Sequence, residues 1–414
     1  MLNNAFHFVE GRMFADSVLV SEIAAETGTP VYIYSSRRIL ENYSRVSRAF
    51  QELDAAVHYS AKANANLALL RLLIHAGAGI DAVSGGEIYK ALTVGCDPEH
   101  IVFAGVGKTV DEMRFALEKR IGWFNVENIE ELKILDSLAA SIGYQPRVAL
   151  RLNPDVSATT FPQVATGHGG AKFGLSEETV AALLAERQRF TNVKIAGLHI
   201  HIGSQLGDVD ATRSAIRRAR ELITPYEDVR TLNIGGGFPV AYRVDQKPPQ
   251  LADFVAAVRP YLRGCKVIIE PGRFIVADAG ILVARILYTK KQGGHRFMVI
   301  DTGMTELIRP ALYDAHHEIV RVEDHMGNET ILEYQVVGPV CETTDLLSRS
   351  TYLPAARPGD LVAILTAGAY GMVMSSNYNA RPRPPEVVID PNGETWRVTR
   401  RRETYEEMIT AEMV

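Results

Sequence analysis

The sequence predicts an α/β protein, a (β/α)8 barrel of the TIM type joined to a C-terminal, mainly antiparallel β domain. Three observations carry this. Between residues 31 and 278, eight short β-rich runs alternate with stretches of helical periodicity. Repeated β–α units imply parallel strands joined by right-handed crossovers, and eight units over ~250 residues suit a closed barrel. Past residue 279 helical stretches become rare, and strand-like runs follow one another between turn residues. An open doubly wound sheet is the alternative for the first part.

In chain order, a short strand "TPVYIYS" comes first. Then "AAVHYSA" precedes "NLALLRLLIHAG", "GIDAVS" precedes "GGEIYKALTVG", and "HIVFAG" precedes "TVDEMRFALEKR". "GWFNVE" leads into "NIEELKILDSLAASIG", and "RVALRLN" leads through a polar loop into "SEETVAALLAERQ". "KIAGLHIHIGS" precedes "DATRSAIRRARELI", "TLNIGGG" precedes "LADFVAAVRPYL", and "KVIIEPGR" closes the series. The β-rich remainder reads "GILVARILYTKKQ", "HRFMVIDTG", "ETILEYQVVGPV", "DLVAILTAGAY", "PPEVVIDPNG" and "TWRVTRRRET". The expected division is residues 31–278 for the barrel and 1–30 with 279–414 for the β domain, the N-terminal segment being available to add a strand.

The chain has 414 residues, enough for two full cores. Its 47% hydrophobic and 22% charged residues are ordinary for a globular protein. A net charge of −5 lacks the basic surplus of a nucleic-acid binder. No apolar run approaches the ~18 residues that span a bilayer, so no membrane association is expected. The opening "MLNNAFHFVEGRMF" lacks the basic and apolar regions of a secretion signal. Cys96, Cys265 and Cys341 are far apart and odd in number, which fits neither a disulfide framework nor a zinc pattern and points to a reducing cytoplasm.

On a barrel, chemistry sits at the C-terminal ends of the strands. Polar or glycine-rich groups recur there: Lys62, Asp81, Asn153, His199, His201, Gly235 to Gly237, Glu270 and Arg273. A lysine ending an apolar strand is either a surface lysine with a packed stem or a nucleophile. A triple glycine is either a tight turn or an anion cradle, and "NIGGGFP" is neither a Walker sequence nor GxGxxG. Ser204 adds a hydroxyl donor. A strand-end histidine is commonly a hydrogen-bonded structural residue. Together, a lysine for an aldehyde, glycines for a phosphate, an aromatic face and a carboxylate for a ring nitrogen suggest pyridoxal phosphate.

Ten segments then resemble the fold-type III (alanine-racemase-like barrel) decarboxylases that use pyridoxal phosphate. They are "YSAKAN", "DAVSGGE", "RLNPDV", "KFG", "GLHIHIGSQ", "NIGGGFP", "EPGRFIVADAG", "RPALYDAHHEI", "GPVCETTDLL" and "GAYGMVMSSNYNARPRPPEV", in order along nearly the whole chain. The ending "SSNYNARPRP" favours the branch whose substrate carries two amino-acid ends over ornithine- or arginine-type relatives. The resemblance implies that Lys62 holds the cofactor covalently and that His201 stacks on its ring, with His199 structural. It implies Ser204, Gly235, Gly236, Gly237 and Tyr370 for the phosphate, Glu270 for the pyridine nitrogen, and Asp81 close by. Arg273, Arg309, Tyr313 and Tyr370 would bind substrate. Cys341 and Glu342 would reach substrate in the partner subunit's site, which implies a homodimer.

Elementary chemistry agrees with these roles. Loss of CO2 leaves a carbanion, which the ring delocalises well when its nitrogen is protonated. A carboxylate ~3 Å from that nitrogen attracts it by roughly 5 kcal/mol at an effective dielectric of ~20. A cation in that place would favour racemase chemistry. Cys341 has a labile proton and can act as the acid, or it is a small apolar thiol. Arg273 and Arg309 can pair a substrate carboxylate, and Glu342 an ammonium. Two departures stand out. Phe161 in "TTFPQVATGHGGAKFG" stands where the family commonly has histidine, and "CETTD" replaces "CESSD" or "CESGD". They leave open a related decarboxylase with a variant substrate. A non-catalytic pyridoxal-phosphate carrier is the alternative of another class, but such carriers lack the β domain and its cysteine.

Overall fold

The computed structural model describes residues 1–157, 160, 166–323 and 330–413. Eight strands close into a barrel: Ala56–Ser60, Gly79–Ala82, Ile101–Phe103, Trp123–Val126, Arg147–Arg151, Lys194–His199, Thr231–Asn233 and Lys266–Ile269. Each pairs in parallel with the next, and the eighth returns to the first through Ile268 opposite Ala56 and Ile269 opposite Val57. The sheet is therefore closed, not an open doubly wound sheet. The strands are short and almost wholly buried, as strands covered by crossover helices must be.

The helices begin where local chemistry says they should. Asn66 caps Leu67–His75, which buries Leu69, Leu70 and Leu73 along one stripe. Thr109 and Glu112 form a reciprocal capping box on Val110–Glu118. Inside the barrel, Val102, Trp123, Ala149, Ala196 and Ile268 from five strands form an apolar cluster. The interior is a packed core, which leaves the C-terminal mouth for chemistry.

The chain divides into two compact units: residues 42–240 with 247–274, and residues 1–41, 241–246 and 275–414. The second unit holds a nine-stranded, mainly antiparallel sheet. One strand departs from the expected boundary. Val31–Ser35 lies outside the barrel and pairs antiparallel with Gly280–Gln292 and parallel with Glu386–Ile389. Every residue of this strand is buried, so its composition suits a central position in either sheet and does not record the partner. Val31 and Ile33 join Ile281, Val283, Val387 and Ile389 in one core. Phe6–Val9, Arg12–Ala15 and Val18–Leu19 form a small sheet of their own, and Phe6 and Met13 pack into that same core. Ile319–Arg321 and Leu346–Pro354 are further strands that sequence pattern did not single out. Among the described residues no helix is long and apolar enough to cross a membrane.

Candidate active site

The first barrel strand ends at Ser60, and a single 3-10 turn, Ala61–Ala63, presents Lys62. Lys62 Nζ lies 3.1 Å from Asp81 Oδ2 on the second strand. Ser60 Oγ donates to the same carboxylate oxygen at 2.6 Å. Asp81 is fully buried, and burial pushes its carboxyl up, with Glu270 adding to the effect and Lys62 and Ser60 opposing it. Lys62 is thus not a surface lysine with a packed stem. Its ammonium ends on a buried acid, while its side chain stays 33% exposed.

Glu270, at the end of the eighth strand, is buried and accepts three side-chain hydrogen bonds. Asn125 Nδ2 at 3.2 Å and Asn233 Nδ2 at 2.5 Å share Oε1, and His199 Nε2 lies 3.1 Å from Oε2. Burial alone would push this carboxyl up, yet His199, Lys62 and the Asn233 amide hold it below the ordinary carboxylate range. His201 follows the sixth strand, and its Nδ1 accepts the Gly236 N–H at 3.3 Å. Burial, then the charges of Lys62 and Arg151, keep the His201 imidazole well below its ordinary pKa, so the ring is neutral near pH 7.

The glycine run follows the seventh strand. A Cβ on Gly235, Gly236 or Gly237 would come within 2.4, 2.1 and 2.5 Å of the carbonyl oxygens of Ile200, Glu270 and Gly203. Gly235 and Gly237 also have φ of +67° and +97°. Glycine is required here by close approach of neighbouring backbone, and the resulting turn suits an anion cradle. Arg273 donates through Nε and a terminal nitrogen to Ser204 Oγ at 3.2 and 3.1 Å. Lys62, Asp81, His201, Ser204, the glycines, Glu270 and Arg273 are all in the barrel unit, most of them in one hydrogen-bonded and charge-coupled cluster. Asn153 plays a different part, with Nδ2 donating to the carbonyls of His168 and Phe173 in the following loop. Phe161 lies outside the described residues.

Arg309, Tyr313, Cys341, Glu342 and Tyr370 belong to the β unit. Arg309 is buried, with its guanidinium 4.7 Å from the Tyr242 ring centroid and a terminal nitrogen 2.7 Å from His317 Nε2. His317 Nδ1 faces the Leu365 carbonyl at 2.9 Å. The proton therefore sits on Nδ1, and Nε2 accepts from Arg309. Tyr313 ends the short helix Arg309–Tyr313. Cys341 is exposed, and its N–H donates to Asn379 Oδ1. Tyr378 Oη donates to Glu342 Oε1 at 2.6 Å. Buried Asp345 organises their loop by accepting the Met304 and Val340 N–H groups at 2.6 and 2.7 Å. Tyr370 has φ of +56°, a strained backbone for a bulky residue.

Sequence reasoning missed Asn125, Asn233 and two buried ion pairs, Arg151 with Glu127 and Lys108 with Glu131. The signal for the asparagines was present. "GWFNVE" and "TLNIGGG" each put one at a strand's C-terminal end, the same rule that singles out Lys62. Among the described residues no cluster could hold a metal ion.

The chain belongs to the pyridoxal-dependent decarboxylases: the family model described as "Pyridoxal-dependent decarboxylase, pyridoxal binding domain" matches residues 36–277. Within that class its likeness is to diaminopimelate decarboxylases. It is 41% identical to the diaminopimelate decarboxylase of Pseudomonas aeruginosa, over 99% of both chains. It is 38% identical to that of Aquifex aeolicus, over 98% of this chain and 97% of the relative. A crystal structure of diaminopimelate decarboxylase from M. jannaschii in complex with L-lysine superimposes with a TM-score of 0.93 at 35% identity, covering 100% of this chain and 98% of that one.

Proposed function

We propose that this chain removes CO2 from meso-2,6-diaminopimelate to give L-lysine, the closing step of lysine biosynthesis, with pyridoxal phosphate as cofactor. The observation that carries the decarboxylase reading is Glu270, kept anionic by its three donors at the barrel mouth that also presents Lys62. The substrate reading is supported by likeness to diaminopimelate decarboxylases along the whole chain.

The residues present fit the cofactor. Lys62 is an amine for its aldehyde, Glu270 an acceptor for its ring N–H, His201 a neutral ring for its face, and the glycine turn with Ser204 a cradle for its phosphate. The family resemblance assigns Tyr370 to the phosphate as well. When bound, pyridoxal phosphate supplies the electron sink for the carbanion left by loss of CO2. The chain's own residues do the rest. Asp81 orients the Lys62 amine through the 3.1 Å contact. Arg309, held by His317 and Tyr242, offers a preorganised guanidinium to a carboxylate, and the family resemblance gives Arg273 and Tyr313 substrate-binding roles as well. Glu342 pairs an ammonium, and Cys341 Sγ delivers a proton to the α-carbon. Cys341 and Glu342 are exposed, as residues serving a second copy's site would be, and the working unit is a homodimer.

The deciding experiment measures CO2 release from diaminopimelate, ornithine, arginine and lysine, alongside borohydride trapping of the cofactor. Turnover of diaminopimelate at least tenfold above the others, with the label on Lys62, is expected. Preference for another amino acid rejects the substrate. A protein that binds no pyridoxal phosphate rejects the cofactor.

A further inference from the structure

The geometry points to Asn125, His199 and Asn233 as positioning residues for the reaction, a three-donor clamp that fixes the Glu270 carboxylate in one orientation and one charge state. The inference rests on the function proposed above and adds residues that it does not use.

The clamp is built from residues at or next to the C-terminal ends of the fourth, sixth and seventh barrel strands. Asn125 is the penultimate residue of the strand Trp123–Val126, and its amide donates to Oε1 at 3.2 Å. The Asn233 amide orientation is fixed by its other contact, because Oδ1 accepts the Gly235 N–H at 3.0 Å and Nδ2 is therefore left facing Oε1. His199 faces Oε2 through Nε2, while its Nδ1 is buried with no partner. That pattern places the proton on Nε2. All three clamp residues and Glu270 are between 1% and 4% exposed. A carboxylate that accepts three N–H groups cannot protonate without leaving a donor facing a hydroxyl, so the clamp opposes protonation. Oε1 is doubly occupied and Oε2 singly, which leaves Oε2 as the oxygen turned to a further donor. Asn125 is itself anchored, since its carbonyl accepts from Lys108 Nζ at 2.6 Å, and Lys108 is paired with buried Glu131.

The other titratable groups around Glu270 are His58 on the first strand, Lys62 just after it, Asp81 on the second and His201 after the sixth. Arg151 on the fifth strand is already paired with Glu127. Burial keeps His58 at about 4, so it is neutral near pH 7. Lys62 favours the Glu270 anion, whereas Asp81 opposes it. His199 opposes burial most strongly, followed by Lys62 and then the Asn233 amide, while Asn125 adds the third donor by geometry.

The test uses His199→Phe, which removes a donor, His199→Gln, which keeps an N–H, and Asn125→Leu. Asn233 is avoided because it also holds the glycine turn. In cofactor-loaded enzyme, His199→Phe and Asn125→Leu should lower kcat roughly 10- to 100-fold with KM nearly unchanged. They should also move the acid limb of kcat, and the pH titration of the bound cofactor's absorbance, to higher pH. His199→Gln should recover most of both. Loss of activity without either pH shift, or a Gln variant no better than Phe, overturns the inference. In cofactor-free protein, an unclamped buried Glu270 takes a raised pKa, so its ionisation destabilises the fold as pH rises. The melting-temperature gap between wild type and His199→Phe or Asn125→Leu should therefore widen from pH 4.5 to 7, and a gap independent of pH also overturns the clamp. That arm needs no cofactor and no turnover, so it separates failure of the clamp from failure of the proposed function.

Discussion

At the scale of single residues, Asp81 shows how the site trades stability for chemistry. Burial raises its carboxyl, so its ionised form opposes folding: that contribution is favourable below the ordinary carboxylate range and is lost as pH rises through the raised value. Asp81→Asn should therefore raise the melting temperature of the cofactor-free protein at pH 7 by about 2 °C. The gain should fade near pH 4, and decarboxylation should fall at least tenfold. Thermal melts at the two pH values check this, and a variant less stable at both would refute the reading. Lys62, Asp81, His201 and Glu270 were legible in the sequence because each is a polar residue at the end of an apolar run. Asn125 and Asn233 obey the same rule but carry no charge, and an uncharged amide betrays its role only when its hydrogen-bond partners are known. His199 was legible as a strand-end histidine of the hydrogen-bonded structural kind, and the partner that sequence could not name is Glu270, which its Nε2 faces.

At the scale of the element, the turn after the seventh strand is the least forgiving piece of the barrel. A Cβ on Gly236 would stand 2.1 Å from the Glu270 carbonyl oxygen, so alanine there must displace either the turn or the eighth strand. Gly236→Ala is expected to cost about 3 kcal/mol and to abolish cofactor binding. Gly86 is the natural control, since it lies in the helix Gly85–Thr93 with nothing nearer than 3.7 Å to its virtual Cβ. Gly86→Ala should be neutral or slightly stabilising. Urea unfolding of both variants checks the contrast, and equal costs would mean that close approach is not what demands glycine at 236. The barrel strands were readable because seven of the eight β-rich runs lead into a stretch of helical periodicity and "KVIIEPGR" closes the series. Leu346–Pro354 escaped because "LLSRSTYLP" is polar and exposed through its middle and shows no clean alternation.

At the scale of the whole molecule, the proposed dimer makes a quantitative claim. If Cys341 serves the partner's site, mixed Lys62→Ala and Cys341→Ala chains form heterodimers with one complete site each. Random exchange should then restore about 25% of wild-type activity from two inactive parents. Native mass spectrometry would prove exchange, and exchange without recovered activity would place Cys341 in its own chain's site. The two-part architecture was legible from the change of rhythm near residue 279, but not the destination of Val31–Ser35. That strand has a further consequence for how the protein is made. The ribosome delivers "VYIYS" near the start, yet its two neighbours, Gly280–Gln292 and Glu386–Ile389, emerge only after the entire barrel. Until then an apolar strand waits with both edges open, a template for pairing with other nascent chains. The barrel can close co-translationally, whereas the β unit cannot, and the interval between the two is when this protein most needs a chaperone.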